Sequence, residues 1–194
     1  MGIELEWKYA ADEETFRLLT ERYSGENWRV IHMESLYFDT RDRDLGQRRW
    51  TLRLRKENGQ DIVCLKTPGE NRARGEWEVP SGDVRAAIPL LIGEGAAPEL
   101  AALTESKPLN PVCGARFTRR AALLSLPEGA AAELCLDAGE LFGGDRRVPL
   151  REVEVELKTG APETAERFAK ELAARYGLKE EPKSKFQRAA ALNG

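Results

Sequence analysis

The chain has 194 residues, of which 41% are hydrophobic and 32% are charged, and its formal net charge is −3 at pH 7. A length of this order suits a single domain, which we predict over residues 1–194. The near balance of 30 basic and 33 acidic residues excludes a strongly cationic protein built for nucleic acid or membrane surfaces, and neither partner is predicted. With no apolar run near the ~20 residues of a bilayer span and no signal-peptide pattern, we expect a cytoplasmic protein.

The few cysteines and the single histidine limit the chemistry further. Cys64, Cys113 and Cys135 are odd in number and far apart, which predicts reduced and mostly buried thiols rather than a disulfide framework or a zinc site. His32 alone supplies neither a histidine-based triad nor a two-histidine metal site. Any metal must therefore be bound by oxygen ligands.

The first half of the chain predicts strands and one helix. In the opening stretch IELEWKY, apolar and charged residues alternate, as in a strand with one apolar and one charged face. Asp12 can cap a helix through EETFRLLTERY. Asn58-Gly59 is a strong hairpin signal between two later strands. Alternation and turn residues place the remaining strands of this half at 34–40, 50–57, 61–67 and 74–79.

The second half begins with a helical stretch and then returns to strands. Short helices interrupted by proline and glycine are predicted across 81–106, and an amphipathic helix at 162–177 begins near Pro162 and ends at Gly177. The tail EEPKSKFQRAAAL predicts one last short helix. Strands in this half are predicted at 116–126, 132–137 and 151–158.

Charged side chains share one face in at least five of these strands. Glu152, Glu154 and Glu156, for example, lie opposite Val153 and Val155. For one strand, this pattern is typical of a solvent-exposed face. For several strands together it fits two architectures: an open sheet whose charged faces meet water, or a closed antiparallel barrel whose lumen is charged and whose helices pack outside.

A closed arrangement would have a specific chemistry. Carboxylates brought together in a lumen repel one another, and a divalent cation removes that conflict. Oxygen ligands favour hard ions such as Mg²⁺ or Mn²⁺. The basic residues on the same faces would bind a phosphate chain, and they are Lys8, Arg53, Arg55, Lys66, Arg74 and Arg120. A shift of one residue in strand register would replace Arg120 by Arg119.

The run Glu4-x-Glu6-x-Lys8 resembles the ExExK signature of the CYTH superfamily, the triphosphate tunnel metalloenzymes. Similar segments follow in order over nearly the whole chain: YFDT (37–40), LRLR (52–55), LKTPG (65–69), RGEWEV (74–79), LDAGEL (136–141), EVEVELK (152–158) and SKF (184–186). Bacterial inorganic triphosphatases are the most similar group. The resemblance implies an α+β fold, a closed eight-stranded antiparallel β-barrel (tunnel) with helices packed outside.

The resemblance also assigns roles to individual residues. It implies that metal is bound by Glu4, Glu6, Asp137, Glu152 and Glu154. It implies that triphosphate is bound by Lys8, Arg53, Arg55, Lys66, Arg120 and Lys185, and the sorting of charges adds Arg74. The residues predicted to be catalytic are Glu4, Glu6 and Lys8. Other residues predicted to line the tunnel are Asp39, Glu76, Glu78, Glu133 and Glu156, although Asp39 equally suits a cap on the following turn.

The implied activity is hydrolysis of inorganic triphosphate (tripolyphosphate) to diphosphate and phosphate with Mg²⁺ or Mn²⁺. Two other enzymes remain open, an adenylyl cyclase of the class IV type acting on ATP and a thiamine triphosphatase. A module that binds polyphosphate or nucleotide without catalysis is the alternative outside enzymes. The predicted partner is thus a small molecule containing a triphosphate, and a homodimer is left open.

Overall fold

The computed structural model describes residues 2–69 and 74–193, which form one antiparallel sheet with helices packed against it. The strands are β1 Gly2–Glu4, β2 Glu6–Ala10, β3 Arg29–Asp39, β4 Thr51–Glu57, β5 Gln60–Pro68, β6 Arg74–Pro80, β7 Asn110–Ser125, β8 Ala131–Gly143, β9 Arg146–Thr159 and β10 Lys179–Glu180. The α-helices are α1 Glu13–Arg22, α2 Asp44–Gln47, α3 Val84–Gly93, α4 Glu99–Thr104, α5 Pro162–Tyr176 and α6 Lys185–Ala190. No helix within these residues has the length and apolar character needed to cross a membrane.

The N-terminal stretch joins the two ends of the sheet. The strand order is β1-β6-β5-β4-β3-β7-β8-β9-β2-β10. Strand β1 pairs with β6, with Glu4 opposite Arg74, whereas β2 pairs with β9, with Glu6 opposite Glu156. The chain changes partner at Leu5, whose carbonyl accepts a hydrogen bond from the amide of Leu157 at 2.9 Å. The sheet therefore curls on itself, because β1 at one end and β2, the last strand but one at the other end, are consecutive in the chain.

The prediction of a closed eight-stranded barrel is wrong in its detail. The described residues contain ten strands, or nine if β1 and β2 are counted as one, and hydrogen bonds do not close the sheet. The physical reason lies at the seam. Strand β10 pairs with β2 at Tyr9 and Ala10, so this edge of β2 is already occupied, and β1 is the segment that reaches β6.

Most of the predicted elements are confirmed. The hairpin between β4 and β5 turns at Asn58 and Gly59, which both have positive φ (48° and 88°), as such tight turns require. The amphipathic helix α5 lies where it was predicted. Four strands extend five or six residues beyond their predicted bounds: β3 begins at Arg29, β7 at Asn110 and β9 at Arg146, and β8 ends at Gly143.

The apolar faces of the strands form the core beneath the outer helices. Trp7 of β2, Leu134 of β8 and Val155 of β9 pack in one cluster with Leu19 of α1 and Leu172 of α5. A second cluster lies between strands β4 to β6 and helices α3 and α4. Both clusters lie on the outer face of the curled sheet, so the charged faces of the strands point to the inside.

Helix α6 departs from the expectation that helices pack outside. Its Ala189 is fully buried in a third cluster, together with Leu141 of β8 and Leu150 of β9. In the register of β8 and β9, these two leucines share the face of Asp137 and Glu152. Helix α6 therefore packs against the inner face of the sheet.

Leu134 tests the outer core. Its side chain is fully buried between the sheet and the helices, so we expect Leu134→Ala to lower the free energy of unfolding by about 2 to 5 kcal/mol. Leu123, which is 59% exposed, is the matched control, and Leu123→Ala should cost less than about 0.5 kcal/mol. Urea denaturation followed by tryptophan fluorescence measures both, and equal losses would contradict this description of the core.

Candidate active site

The inner face of the sheet encloses a cavity of about 250 Å³ with a predominantly charged lining. The registers explain why the charges meet: Lys8 lies opposite Glu154, and Glu156 lies opposite both Glu6 and Glu133. A neighbouring cavity of about 570 Å³ shares residues with the first, so the charged interior is continuous. The shared residues include Glu6, Lys8, Lys66 and Arg74.

Most of the residues predicted for the site line the first cavity. They are Glu4, Glu6, Lys8, Arg53, Arg55, Lys66, Arg74, Glu76, Glu78, Glu133, Glu154, Glu156 and Lys185. Asp137 and Glu152 also point to the inside of the sheet, but they are fully buried in the cavity wall, where they contact Lys185. The structure thus brings together charges that lie far apart in the sequence.

One wall of the cavity is basic and incompletely paired. Arg53 and Arg55 of β4 point inward with side chains 13% and 15% exposed. Arg55 lies 3.0 Å from Glu78, while the contacts of Arg53 with Glu76 and Glu78 are longer, at 3.8 and 3.7 Å. Among the described residues, the Nε and Nη2 atoms of Arg53 have no hydrogen-bond partner, and the Nε of Arg55 makes no hydrogen bond although it lies 3.2 Å from Glu57 Oε2. Buried guanidinium groups with free donors fit an anionic ligand.

Lys66 links this wall to the N-terminal strand. Its ammonium donates to Glu4 Oε1 at 2.5 Å and lies 3.2 Å from Glu76 Oε1. Burial would raise the pKa of Glu76, but Lys66 and Arg53 lower it to about 2. The adjacent thiol of Cys64 donates to Glu76 at 3.2 Å, and burial raises its pKa to about 12. Glu76 is therefore a carboxylate, and Cys64 a protonated, unreactive thiol, near neutral pH.

The opposite wall holds three buried carboxylates, which we call the acidic cluster: Asp137, Glu152 and Glu154. Each offers one oxygen within 4.8 Å of the others. Arg119 Nε donates to Asp137 at 2.8 Å, and the same guanidinium also contacts Glu154. Burial alone would raise the pKa of Glu154, but Lys185 and Arg119 hold it well below its usual range. These carboxylates can bind a hard divalent cation.

The five predicted metal ligands do not form one group. Glu4 and Glu6 lie on the N-terminal strand and do not belong to the acidic cluster. Glu4 is paired with Lys66, and Glu6 lies 3.3 Å from Lys8. Burial raises the pKa of Glu6, and the charges of Glu154 and Glu4 raise it further. Glu6 and Glu154 are diagonal neighbours on the paired strands β2 and β9, since Glu6 lies opposite Glu156 and Lys8 lies opposite Glu154.

Arg120 is the clearest correction. Its guanidinium donates to Thr20 of α1 at 3.1 Å and lies 5.3 Å from the Trp28 ring, on the outer face of the sheet. Arg119 takes its predicted place, because it pairs in register with Asp137 and lines the cavity. Strand β7 begins at Asn110, well before the predicted start at Arg116. Its register turns Arg119, and not Arg120, toward the inside of the sheet.

Asp39 is also outside the cavity lining. Its carboxylate accepts hydrogen bonds from the amides of Thr40, Leu45 and Gly46, at 2.8 to 3.0 Å. The side chain therefore fixes the turn into α2, which is the second of the two roles considered for it.

Sequence reasoning left out two basic residues at the acidic walls. Arg29 contacts Glu133. The predicted strand began five residues after Arg29, so the sequence did not place Arg29 on either face of β3. Arg188 contacts Glu152 and follows Lys185 by three residues on α6. That i, i+3 spacing places both on one helix face and was the available signal.

An apolar strip completes the cavity on the side of β3 and β7. It consists of Ile31, Met33, Tyr37 and Phe117, together with Phe186 of α6. The rings of Tyr37 and Phe186 lie 5.3 Å apart. Arg29 of β3 and Arg119 of β7 also line the cavity here, so this side combines apolar and basic side chains, whereas the rest of the lining is mostly charged.

Glu76 makes stability depend on pH. Its folded pKa of about 2 lies below the ordinary value of 4.5, so its contribution is present above pH 4.5 and is lost as the pH falls toward 2. We expect the free energy of unfolding of the wild type, relative to Glu76→Gln, to be constant above about pH 5 and to decrease below it, by at most about 3 kcal/mol. Urea titrations in EDTA at several pH values measure this difference. A difference independent of pH would contradict the ion pairing described for Glu76.

Solved structures with similar folds cover almost the whole chain. The Hippeastrum protein HpAC1, described as an adenylyl cyclase candidate with a dominant triphosphatase activity, has a TM-score of 0.63 at 18% identity, covering 98% of this chain and 96% of that one. A candidate adenylate cyclase from Bacillus halodurans has a TM-score of 0.62 at 21% identity, covering 97% and 98%. At these identities the likeness shows a common fold.

A curated relative and a family model complete the comparison. Inorganic triphosphatase of Haemophilus influenzae is 24% identical over 142 residues, which are 67% of this chain and 37% of the relative. The chain thus spans little more than a third of that protein's length. The family model of the CYTH domain matches residues 2–190. This match extends over nearly the full length, and the chain belongs to the CYTH domain family.

Proposed function

We propose that this chain hydrolyses inorganic triphosphate to diphosphate and phosphate inside the charged cavity. The observation that carries the proposal is the set of unpaired donors on Arg53 and Arg55, which are buried and face an enclosed space. Donors of this kind remain in a folded protein when a ligand completes them. A phosphate chain supplies the several acceptor oxygens that they need.

The remaining cations extend this binding surface along the cavity. Lys8 and Lys66 approach from the N-terminal side, and Arg119 and Lys185 from the side of the acidic cluster. A linear anion with several charges would contact both groups at once, which favours a triphosphate over a single phosphate. The inorganic triphosphatase of Haemophilus influenzae supports the same substrate class by similarity.

The acidic cluster is the proposed metal site, and Glu4 and Glu6 would complete its surroundings from the N-terminal strand. Oxygen ligands without histidine or thiolate favour Mg²⁺ or Mn²⁺. When bound, such an ion offsets phosphate charge and polarises phosphate oxygens.

The chain's own side chains would bind the phosphate oxygens and accept the proton of the attacking water. Arg53, Arg55 and Lys66 bind phosphate oxygens and offset the charge that develops on the leaving diphosphate. Glu6 is the proposed proton acceptor for the attacking water, since its pKa is raised by burial and by its acidic neighbours. Lys8, at 3.3 Å from Glu6, keeps that carboxylate ionised for the task.

Product analysis tests the reaction. With Mg²⁺ or Mn²⁺, we expect release of one phosphate per tripolyphosphate, and no release with EDTA. Arg53→Ala should lower kcat/KM by about 100-fold or more, because it removes buried phosphate donors. ATP and thiamine triphosphate are supplied in parallel. Cyclic AMP as the main product from ATP would favour the cyclase, faster hydrolysis of thiamine triphosphate would favour that substrate, and tight binding without turnover would favour a binding module.

Two adjacent arginines provide a matched pair of variants. Arg119→Ala removes an inward guanidinium that contacts Asp137 and Glu154, whereas Arg120→Ala removes an outward one beside Trp28. We expect the first to lower kcat/KM for tripolyphosphate by about 100-fold and the second to change it by less than about twofold. Circular dichroism checks that both proteins fold. A larger loss in the second variant would reverse the register assigned to β7.

A further inference from the structure

A cation of the chain itself lies at the centre of the acidic cluster. The ammonium of Lys185 is 2.8 Å from Asp137 Oδ2 and 2.7 Å from Glu154 Oε1, and it also contacts Glu152. The Lys185 side chain is only 10% exposed, and those of Asp137 and Glu152 are fully buried. Three carboxylates converge on this one nitrogen, as they would on a metal ion.

An ammonium and a divalent ion cannot share this position. A divalent ion bound at metal–oxygen distances of about 2.0 to 2.6 Å would need oxygens of the same three carboxylates that Lys185 now contacts. Two cations within a few ångströms of each other also repel strongly where little water intervenes. Binding of a metal by the acidic cluster therefore requires the ammonium to leave.

The structure provides a place for the displaced ammonium. Lys185 borders the main cavity, where the phosphate chain is proposed to bind. It is the first residue of α6, and the Ser184–Gln187 capping box fixes the start of that helix. Other anchors of α6 include the contact of Arg188 with Glu152, the packing of Phe186 on Tyr37 and the burial of Ala189 against the sheet. Movement of Lys185 is therefore coupled to the N-terminal turn of α6.

We propose that Lys185 is a built-in competitor of the metal, which occupies the acidic cluster in the metal-free protein and is released into the cavity when a divalent ion binds. The inference rests on the metal site of the proposed function. It adds that metal binding and the position of α6 are linked, and that Lys185 becomes available to phosphate only after the metal has bound.

Manganese binding without any phosphate ligand tests this competition. Electron paramagnetic resonance of free Mn²⁺ gives the affinity of the wild type and of two variants. We expect Lys185→Gln to bind Mn²⁺ at least about tenfold more tightly than the wild type, since the competing charge is gone. Lys183→Gln removes the same charge from an exposed position two residues earlier, and its affinity should stay within about twofold of the wild type.

Hydrogen exchange on the wild type gives a second readout that does not depend on a variant folding correctly. We expect Mn²⁺ to speed amide exchange within residues 185–190, because α6 loses the ionic anchor of Lys185. Equal or weaker Mn²⁺ binding by Lys185→Gln, or slower exchange in α6 on adding metal, would overturn the competition. Absence of Mn²⁺ binding in all three proteins would instead overturn the metal site of the proposed function, and this inference with it.

Discussion

Pairing of charges inside the curled sheet is the constraint on which the rest of the structure depends. Each strand buries its apolar face under the outer helices. Its charged face therefore points into the common interior of the sheet. A buried carboxylate without a partner costs several kcal/mol, so inward acids lie beside cations, several of which come from other elements. Glu4 is paired with Lys66, and Asp137 with Arg119. These contacts join segments that are distant in the sequence.

The same pairing explains why the site is poised for a ligand. At the acidic cluster, three carboxylates are balanced by the three cations of Arg119, Lys185 and Arg188. At the basic wall, Arg53 and Arg55 form ion pairs with Glu57, Glu76 and Glu78, yet guanidinium nitrogens of both still lack a hydrogen bond among residues 2–69 and 74–193. An anion is therefore favoured at one wall, whereas a second cation at the other must replace one already there. Residues that hold the fold together and residues proposed to bind the ligand are largely the same.

The charged face of each strand was predictable from the sequence, because successive side chains point to opposite sides of a strand. Alternation fitted an open sheet as well as a closed barrel, so the prediction that these faces enclose an interior came from the resemblance to the CYTH superfamily. Alternation in β2 and β9 places Glu6 and Glu154 on the charged face without any knowledge of their neighbours. Arg120 was misplaced because charged and apolar residues do not alternate cleanly around it, so the pairing of β7 with β8 decides its face. The change of pairing partner at Leu5 was also not predictable from the sequence. It depends on β10, which has only two residues and therefore no periodicity of its own.

The apolar strip on the side of β3 and β7 makes this side of the cavity less polar than the rest, a difference that alternation alone does not explain. Ile31, Met33 and Phe117 present apolar surface to one side of the cavity, and Phe186 extends this surface onto α6. Ion pairs beside an apolar, water-poor wall are screened less than pairs on an open sheet face. A phosphate chain between the two walls would therefore interact more strongly with the same arginines and lysines than it would on a solvated surface. Because Phe186 and Lys185 are adjacent on one helix, displacement of α6 would change the dielectric environment of the cavity and its charge together.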